Sequence, residues 1–126
     1  MSEVRNSLKE RLARGEVASS MTVRLTRGIE IAQLAKTAGF DSLYIDLEHS
    51  SLSLETTSQI CVAALGCGIA PLVRVPQVEM IQRVLDGGAL GIIAPDVRNA
   101  AQAREIVNAA KYPPLEIGRA SCRERV

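Results

Sequence analysis

Aromatic side chains are almost absent: tryptophan is missing, and one phenylalanine and two tyrosines are all that 126 residues contain. A core must then be built from Ala, Val, Ile and Leu, which suits strands covered closely by helices. No apolar stretch approaches the roughly 20 residues needed to cross a bilayer. The polar start, Met1 to Arg14, has no signal-peptide apolar region and reads as a short amphipathic helix. Excess charge is also lacking: the formal net charge is +1, which gives no electrostatic reason to expect nucleic acid or an anionic membrane as partner. The three cysteines, Cys61, Cys67 and Cys122, have no metal-ligand spacing. An odd number without a secretion signal points to reduced thiols in a cytoplasm, with Cys61 and Cys67 packing as small apolar residues. Lysine occurs only at 9, 36 and 111, all on predicted helices, so a Schiff-base mechanism has no candidate here.

What is present is ordinary globular composition, 47% hydrophobic and 23% charged, enough for one modest domain or part of a larger one. The most informative stretch is Asp41-Ser-Leu-Tyr-Ile-Asp-Leu-Glu-His-Ser50. An apolar run ends abruptly in Asp46, Glu48 and His49, as a buried strand does when it delivers acid and base groups to a pocket at its C-terminal end. His49 is the only histidine and so the obvious group for proton transfer near neutrality. A histidine beside carboxylates can equally be a satisfied loop residue.

The periodicities predict a helix followed by four strand–helix units. Gly15 turns the chain into a strand over Val17–Leu25. Helical spacing runs from Ile29 to Ala35, with Gly39 at the cap. Leu43–Asp46 is the second strand, and Ser53 caps a helix that runs to Gly66-Cys67-Gly68. Ala70–Val75 is the third strand. Met80–Leu85 forms a short helix stopping at Gly87-Gly88, and Leu90–Ala94 is the fourth strand. Asn99 with Gln102 resembles a capping box opening a helix that Pro113-Pro114 terminates. Apolar strands alternating with helices imply an α/β fold with a parallel sheet and right-handed crossovers. A doubly wound sheet and a TIM (β/α)8 barrel both fit. No glycine-rich phosphate fingerprint follows the first strand, whereas polar residues gathered after successive strands suit a barrel's catalytic face. Four units would be half a barrel.

Arg24, the Asp46/Glu48/His49 cluster, Arg74 and Asp96 all stand at or just past predicted strand ends. In a barrel they converge on one mouth. A guanidinium there can clamp a carboxylate or an enolate, and Arg74, leaving an apolar strand, is placed to do so. Without a lysine, charge stabilisation falls to arginine, metal, or both.

These residues carry a resemblance. Phe40-Asp-Ser-Leu-Tyr-Ile-Asp-Leu-Glu-His-Ser50, Pro71-Leu-Val-Arg-Val-Pro76, Val84-Leu-Asp-Gly-Gly-Ala-Leu-Gly-Ile-Ile-Ala-Pro95 and Ala109-Ala-Lys-Tyr-Pro-Pro114 resemble, in order, the HpcH/HpaI aldolases. These are metal-dependent pyruvate-type aldolases acting on 4-hydroxy-2-oxo acids. The resemblance spans about residues 8–115 and implies a carbon–carbon lyase on a TIM barrel, a small oxo-acid substrate and a homo-oligomer. His49 then matches the base acting on the substrate hydroxyl through a metal-bound water. Arg74 matches the arginine that stabilises the enolate and holds the keto acid. Asp46 fits a carboxylate near the metal-bound water, and Glu48 belongs to the motif without an assigned role. Asp86 matches an aspartate that raises the base's basicity. The topology, however, places it on the opposite face, from which it reaches His49 only across a subunit interface or not at all. The divalent cation, of the Mg, Mn or Co type, would be held by carboxylates downstream of Leu115. The alternatives are a related barrel lyase acting on an acyl-CoA ester, or a non-catalytic truncated fragment.

The last eleven residues, Glu116-Ile-Gly-Arg-Ala-Ser-Cys-Arg-Glu-Arg-Val126, carry no usable apolar periodicity. They can be written in codons that, from the second base onward, look like a widely used short-read sequencing adapter. Residues 1–115 are therefore expected to be the native N-terminal half of an aldolase barrel, and 116–126 a non-native tail. Family members usually carry glycine after the Pro-Pro-x segment, and glycine codons begin with G, the one base of the Glu116 codon left to the gene. Sequencing source DNA past the Leu115 codon should therefore read a glycine codon, followed further on by a glutamate and an aspartate after the fifth and sixth strands. Genomic DNA that encodes the same eleven residues would refute the adapter reading.

Overall fold

The computed structural model describes residues 4–111. Pro113-Pro114, Cys122 and the eleven-residue tail lie outside the described residues. The elements are α1 (Ser7–Ala13), β1 (Ser20–Val23), α2 (Glu30–Thr37), β2 (Ser42–Asp46), α3 (Leu54–Cys67), β3 (Ala70–Arg74), a 3-10 turn (Val78–Met80) running into α4 (Ile81–Asp86), β4 (Gly91–Ile93) and α5 (Ala100–Ala110).

Local chemistry sets most boundaries. Ser53 Oγ accepts the Thr56 N–H at 3.0 Å and opens α3. At its other end Gly68 turns left-handed, φ 75°, which lets the Ile69 N–H reach back to the Ala64 carbonyl at 3.0 Å. Asn99 Oδ1 accepts the Gln102 N–H at 2.9 Å. The reciprocal bond differs from the expected box, because Gln102 Oε1 accepts from Arg98, one residue before the cap. Strand β1 is shorter than the predicted Val17–Leu25. Only Ser20–Val23 find partners on β2, while Val17 and Leu25 are 86% and 88% exposed. Cys61 is buried, as expected of a small apolar residue, and burial pushes its thiol up to about 12. Cys67 is half-buried and also packs against the core, and its thiol donates to Gln33 Oε1 at 3.3 Å.

The strands pair in sequence order, β1-β2-β3-β4, and every pairing is parallel. A doubly wound sheet reverses its strand order at a switch point, and this sheet does not. With crossovers of one hand and no reversal, all helices must lie on one face. The packing agrees: Leu43, Ile45 and Val73 meet Ala32 and Ala35 of α2, Ile60 and Ala64 of α3, and Ile81 and Val84 of α4 in a single core. Fully burying each large aliphatic side chain contributes roughly 1.5–3 kcal/mol, and the alanines let α2 lie close to the sheet.

The other strand face carries Ser20 and Thr22, Ser42, Tyr44 and Asp46, then Ala70, Leu72 and Arg74, then Gly91 and Ile93, by the two-residue alternation. Gly91 is required there: a Cβ would sit 2.9 Å from Leu72 Cδ2 on its partner strand. α2, α3 and α4 pack on the opposite face, and this one becomes the interior once such a sheet closes. The architecture is therefore a run of βα units curling with the helices outside, half of a TIM barrel.

Among the described residues β1 and β4 are each paired on one side only, and a cavity of about 410 Å3 lined by Leu85, Ala89, Leu90, Gly91, Ile92 and Ala110 opens along β4. Strand edges left unpaired in this way, with an apolar cavity beside one of them, favour association. Sedimentation of the 126-residue chain should show concentration-dependent self-association in the micromolar range. A sharp monomer boundary at every concentration would contradict this.

Candidate active site

Asp46 closes β2, Arg74 closes β3, and the two are register partners. Parallel neighbours lie about 4.8 Å apart, and the pleat aims both side chains at the inner face. The pairing continues one step further, with the Leu47 N–H donating to the Arg74 carbonyl at 3.1 Å. A fork–fork ion pair results: Arg74 Nε donates to Asp46 Oδ1 at 2.9 Å and Nη2 to Oδ2 at 2.5 Å. Below the guanidinium lies the Tyr44 ring, its centroid 5.7 Å away, two residues back on the same strand face.

The loop after β2 is moulded on Asp46. Its Oδ1 also accepts the backbone N–H groups of Glu48 at 2.9 Å and His49 at 3.1 Å, an aspartate turn. Ser50 Oγ donates to the Asp46 carbonyl, and the Leu52 N–H donates back to Ser50 Oγ at 3.2 Å. Asp46 is 1% exposed. Hydrogen bonding from Arg74 holds its carboxyl well below the usual carboxylate range, and the His49 and Glu48 amides add to this; burial opposes the shift without reversing it.

Glu48 lies between Arg74 and His49. Its Oε2 lies 3.3 Å from Arg74 Nη1 and 3.5 Å from His49 Nε2. The His49 ring stands largely in solvent, 62% exposed. Arg24 completes the group: its Nε and Nη2 donate to the His49 carbonyl at 3.2 and 2.9 Å, and Nε lies 3.5 Å from Asp46 Oδ2.

Chemically the arrangement offers an exposed imidazole, a nearby carboxylate, and a guanidinium fixed by its own counterion with N–H groups to spare. Nε, one Nη2 hydrogen and the Glu48-facing Nη1 are engaged, which leaves one hydrogen on each terminal nitrogen of Arg74 for a ligand.

A family model described as HpcH/HpaI aldolase/citrate lyase matches residues 23–126. The chain belongs to this family. Among curated HpcH/HpaI relatives, a 4-hydroxy-4-methyl-2-oxoglutarate aldolase of Hapsidospora irregularis is 47% identical over 112 residues, which is 86% of this chain and 42% of the relative. A 2-keto-3-deoxy-L-rhamnonate aldolase of Escherichia coli is 35% identical over 111 residues, 86% of this chain and 41% of the relative. The crystal structure of an HpcH/HpaI aldolase from Desulfitobacterium hafniense superposes with a TM-score of 0.81 at 34% identity, covering 86% of this chain and 42% of that one. The chain thus spans less than half the length of these HpcH/HpaI proteins.

Of the residues singled out in the sequence, Asp46, Glu48, His49, Arg74 and Arg24 come together. Asp96 does not: it is exposed at φ 55°, outside this hydrogen-bonded group. Nor does Asp86. It ends α4, and the following turn places the Leu90 N–H on the Pro71 carbonyl, at the start of β3. Arg74 is at the far end of that strand, so within one chain Asp86 and His49 occupy opposite ends of the sheet. Sequence reasoning left Glu48 without a contact and did not single out Tyr44. The signal for Tyr44 was its position two before Asp46, which puts both on one strand face.

Among the described residues no group of three or more His, Cys, Asp or Glu could hold a metal ion, and no helix is long and apolar enough to cross a membrane. Asp46 itself is unsuited to a metal, because arginine and amide hydrogens already occupy its oxygens.

Asp46→Asn should destabilise the fold by about 3 kcal/mol, because it leaves Arg74 facing a neutral amide. The Asp46 carboxyl titrates lower folded than unfolded, where the value is about 3.9. Its contribution is therefore complete above that value and is lost only as pH falls below about 4. Urea midpoints at fixed chain concentration should show a constant gap between wild type and Asp46→Asn from pH 8 to 5 that narrows at lower pH. A gap that has closed by pH 6 would show that the ion pair is not its source.

Proposed function

We propose that the intact protein is a lyase that cleaves a 4-hydroxy-2-oxo acid to pyruvate and an aldehyde or keto fragment by a retro-aldol reaction. The observation that carries this reading is the Arg74–Asp46 pair held beside Glu48 and the exposed His49 at the ends of neighbouring parallel strands. Catalytic groups of barrel enzymes gather at this end. Relatives 47% and 35% identical are named as aldolases of such acids.

In this reading His49 removes the proton from the C4 hydroxyl. The C4–O electrons form a carbonyl, the C3–C4 bond breaks, and its pair passes to C3 to give the pyruvate enolate. Arg74 holds the oxo-acid end with its two remaining N–H groups and stabilises the charge that develops there. Asp46 keeps Arg74 in place and shapes the loop that presents His49. Glu48 faces both.

A divalent cation of the Mg, Mn or Co type, as the family resemblance implies, would draw charge from the keto oxygen. The described residues do not fit such a site, and carboxylates from outside 4–111 would have to supply it. The proposal includes a homo-oligomer in which Asp86 reaches His49 of a neighbouring subunit, a cytoplasmic setting, and a non-native tail at 116–126. The 126-residue chain by itself is expected to lack activity.

Restored to full length, the enzyme should release pyruvate from a 4-hydroxy-2-oxo acid in a coupled dehydrogenase assay. His49→Ala and Arg74→Ala should each lower kcat by roughly 10²–10⁴-fold; the exposed His49 can be lost without unfolding the protein, whereas Arg74→Ala also leaves the buried Asp46 carboxylate without its counterion and should lower the urea midpoint. Retention of more than a tenth of wild-type kcat by His49→Ala would remove the histidine from the role of base.

A further inference from the structure

Among the described residues, two acids and one aromatic ring meet the Arg74 guanidinium. Asp46 takes its Nε and Nη2 edge through two hydrogen bonds, and Glu48 Oε2 lies 3.3 Å from Nη1. On the deep side, Arg74 Cζ stands over the Tyr44 ring, 5.7 Å from its centroid. Strand geometry explains the placement. Tyr44 precedes Asp46 by two residues, so both project on the inner face, and its register partners there are Thr22 and Leu72. The core beneath the helices is filled from the opposite strand face by Leu43 and Ile45, so Tyr44 takes no part in it. The whole chain holds one phenylalanine and two tyrosines. Of the inner-face strand residues named above, only the one under Arg74 is aromatic.

A ring in this place does what a third acid could not. Two hydrogen bonds along one edge hold the guanidinium to Asp46, but they leave its far nitrogen, Nη1, able to swing about that edge. Glu48 opposes the swing from a loop, and the Tyr44 ring supports the group from a strand. Another carboxylate would neutralise the cation and occupy its remaining N–H groups. An aromatic face attracts a cation through its quadrupole and stays neutral. The hydrogens left on the two terminal nitrogens thus stay available to a ligand, and the positive charge is undiminished. The ring also takes the place of water on the deep side of a side chain that is only 23% exposed, which strengthens the attraction of the cation for an incoming anion.

We propose that Tyr44 is a positioning residue for the retro-aldol step, holding the Arg74 guanidinium from below so that its two spare N–H groups meet the forming enolate. This rests on the proposed retro-aldol activity and adds to it a residue that touches neither substrate nor reacting atoms. The ring face carries the effect, and the hydroxyl does not. Phenylalanine keeps that face. Leucine and methionine fill much of the space but offer the cation no quadrupole.

The test is steady-state kinetics of the full-length enzyme, following pyruvate release from 4-hydroxy-2-oxoglutarate and 4-hydroxy-2-oxopentanoate. On whichever of the two it turns over, Tyr44→Leu should lower kcat/KM roughly 5–30-fold, the range that corresponds to a partly desolvated cation–π contact. Tyr44→Phe should stay close to wild type. In an Arg74→Ala background the Tyr44→Leu change should lower kcat/KM little further, because the group it acts through is gone. Thermal melts separate loss of fold from loss of positioning. Tyr44→Met replaces Tyr44→Leu should leucine unfold the protein, and Tyr44→Phe sets ring against hydroxyl in either case. The inference is overturned, with the aldolase reading intact, by a folded Tyr44→Leu enzyme of wild-type kcat/KM. A Tyr44→Phe enzyme as impaired as Tyr44→Leu overturns it too, as does a Tyr44→Leu loss equally large with and without Arg74, the mark of a ring that only fills space. A full-length wild type inactive on both substrates overturns the aldolase reading and this inference with it.

Discussion

The bond between Asp46 and Arg74 makes the rest of the site possible. It is formed by two residues that parallel pairing places side by side at the last rungs of β2 and β3, so no loop has to find the geometry. Asp46 then serves a second purpose, because the oxygen that receives Arg74 Nε also receives two backbone N–H groups from the following loop. One carboxylate thereby fixes a cation on one side and the backbone carrying Glu48 and His49 on the other. A buried charge pair is costly to desolvate and contributes little net stability unless its remaining valences are filled. Here they are filled by the groups that have to be positioned.

Strand order supplies the second constraint. Because β1 to β4 pair in sequence without reversal, each loop following a strand opens on the same end of the sheet, and each loop following a helix opens on the other. Arg24, Asp46, Glu48, His49 and Arg74 share one end by this rule, and Asp86 is excluded from it by the same rule. A role for Asp86 toward His49 thus requires a second chain, a condition set by topology rather than by side-chain placement.

Much of this was legible in the sequence, for reasons that differ from element to element. Ser53, Gly68 and Asn99 announce helix ends because a side-chain oxygen or a left-handed turn acts locally. The abrupt end of Leu43–Asp46 announced β2 because the change from apolar to charged residues coincides with the edge of the core. Strand β1 was drawn too long because its limits depend on partners twenty residues away, and Val17 and Leu25 look like strand residues until β2 is seen to stop short of them. The contacts of Glu48, and the turn of Arg24 toward the His49 carbonyl, were illegible for the same reason. They depend on how far neighbouring strands extend relative to each other, which no local pattern encodes.

Sequential pairing also bears on how the chain reaches this state. Each of β2, β3 and β4 bonds to the strand before it, 19 to 28 residues earlier, so each βα unit can dock as soon as it is made, and no strand waits for a distant partner. Short loop closures of this kind carry a small entropic penalty and favour fast, stepwise growth during synthesis. The ion pair between β2 and β3 is completed early in that order, once Arg74 emerges. The mouth can therefore be set in shape by its first three strands before the polypeptide that closes a barrel has been added.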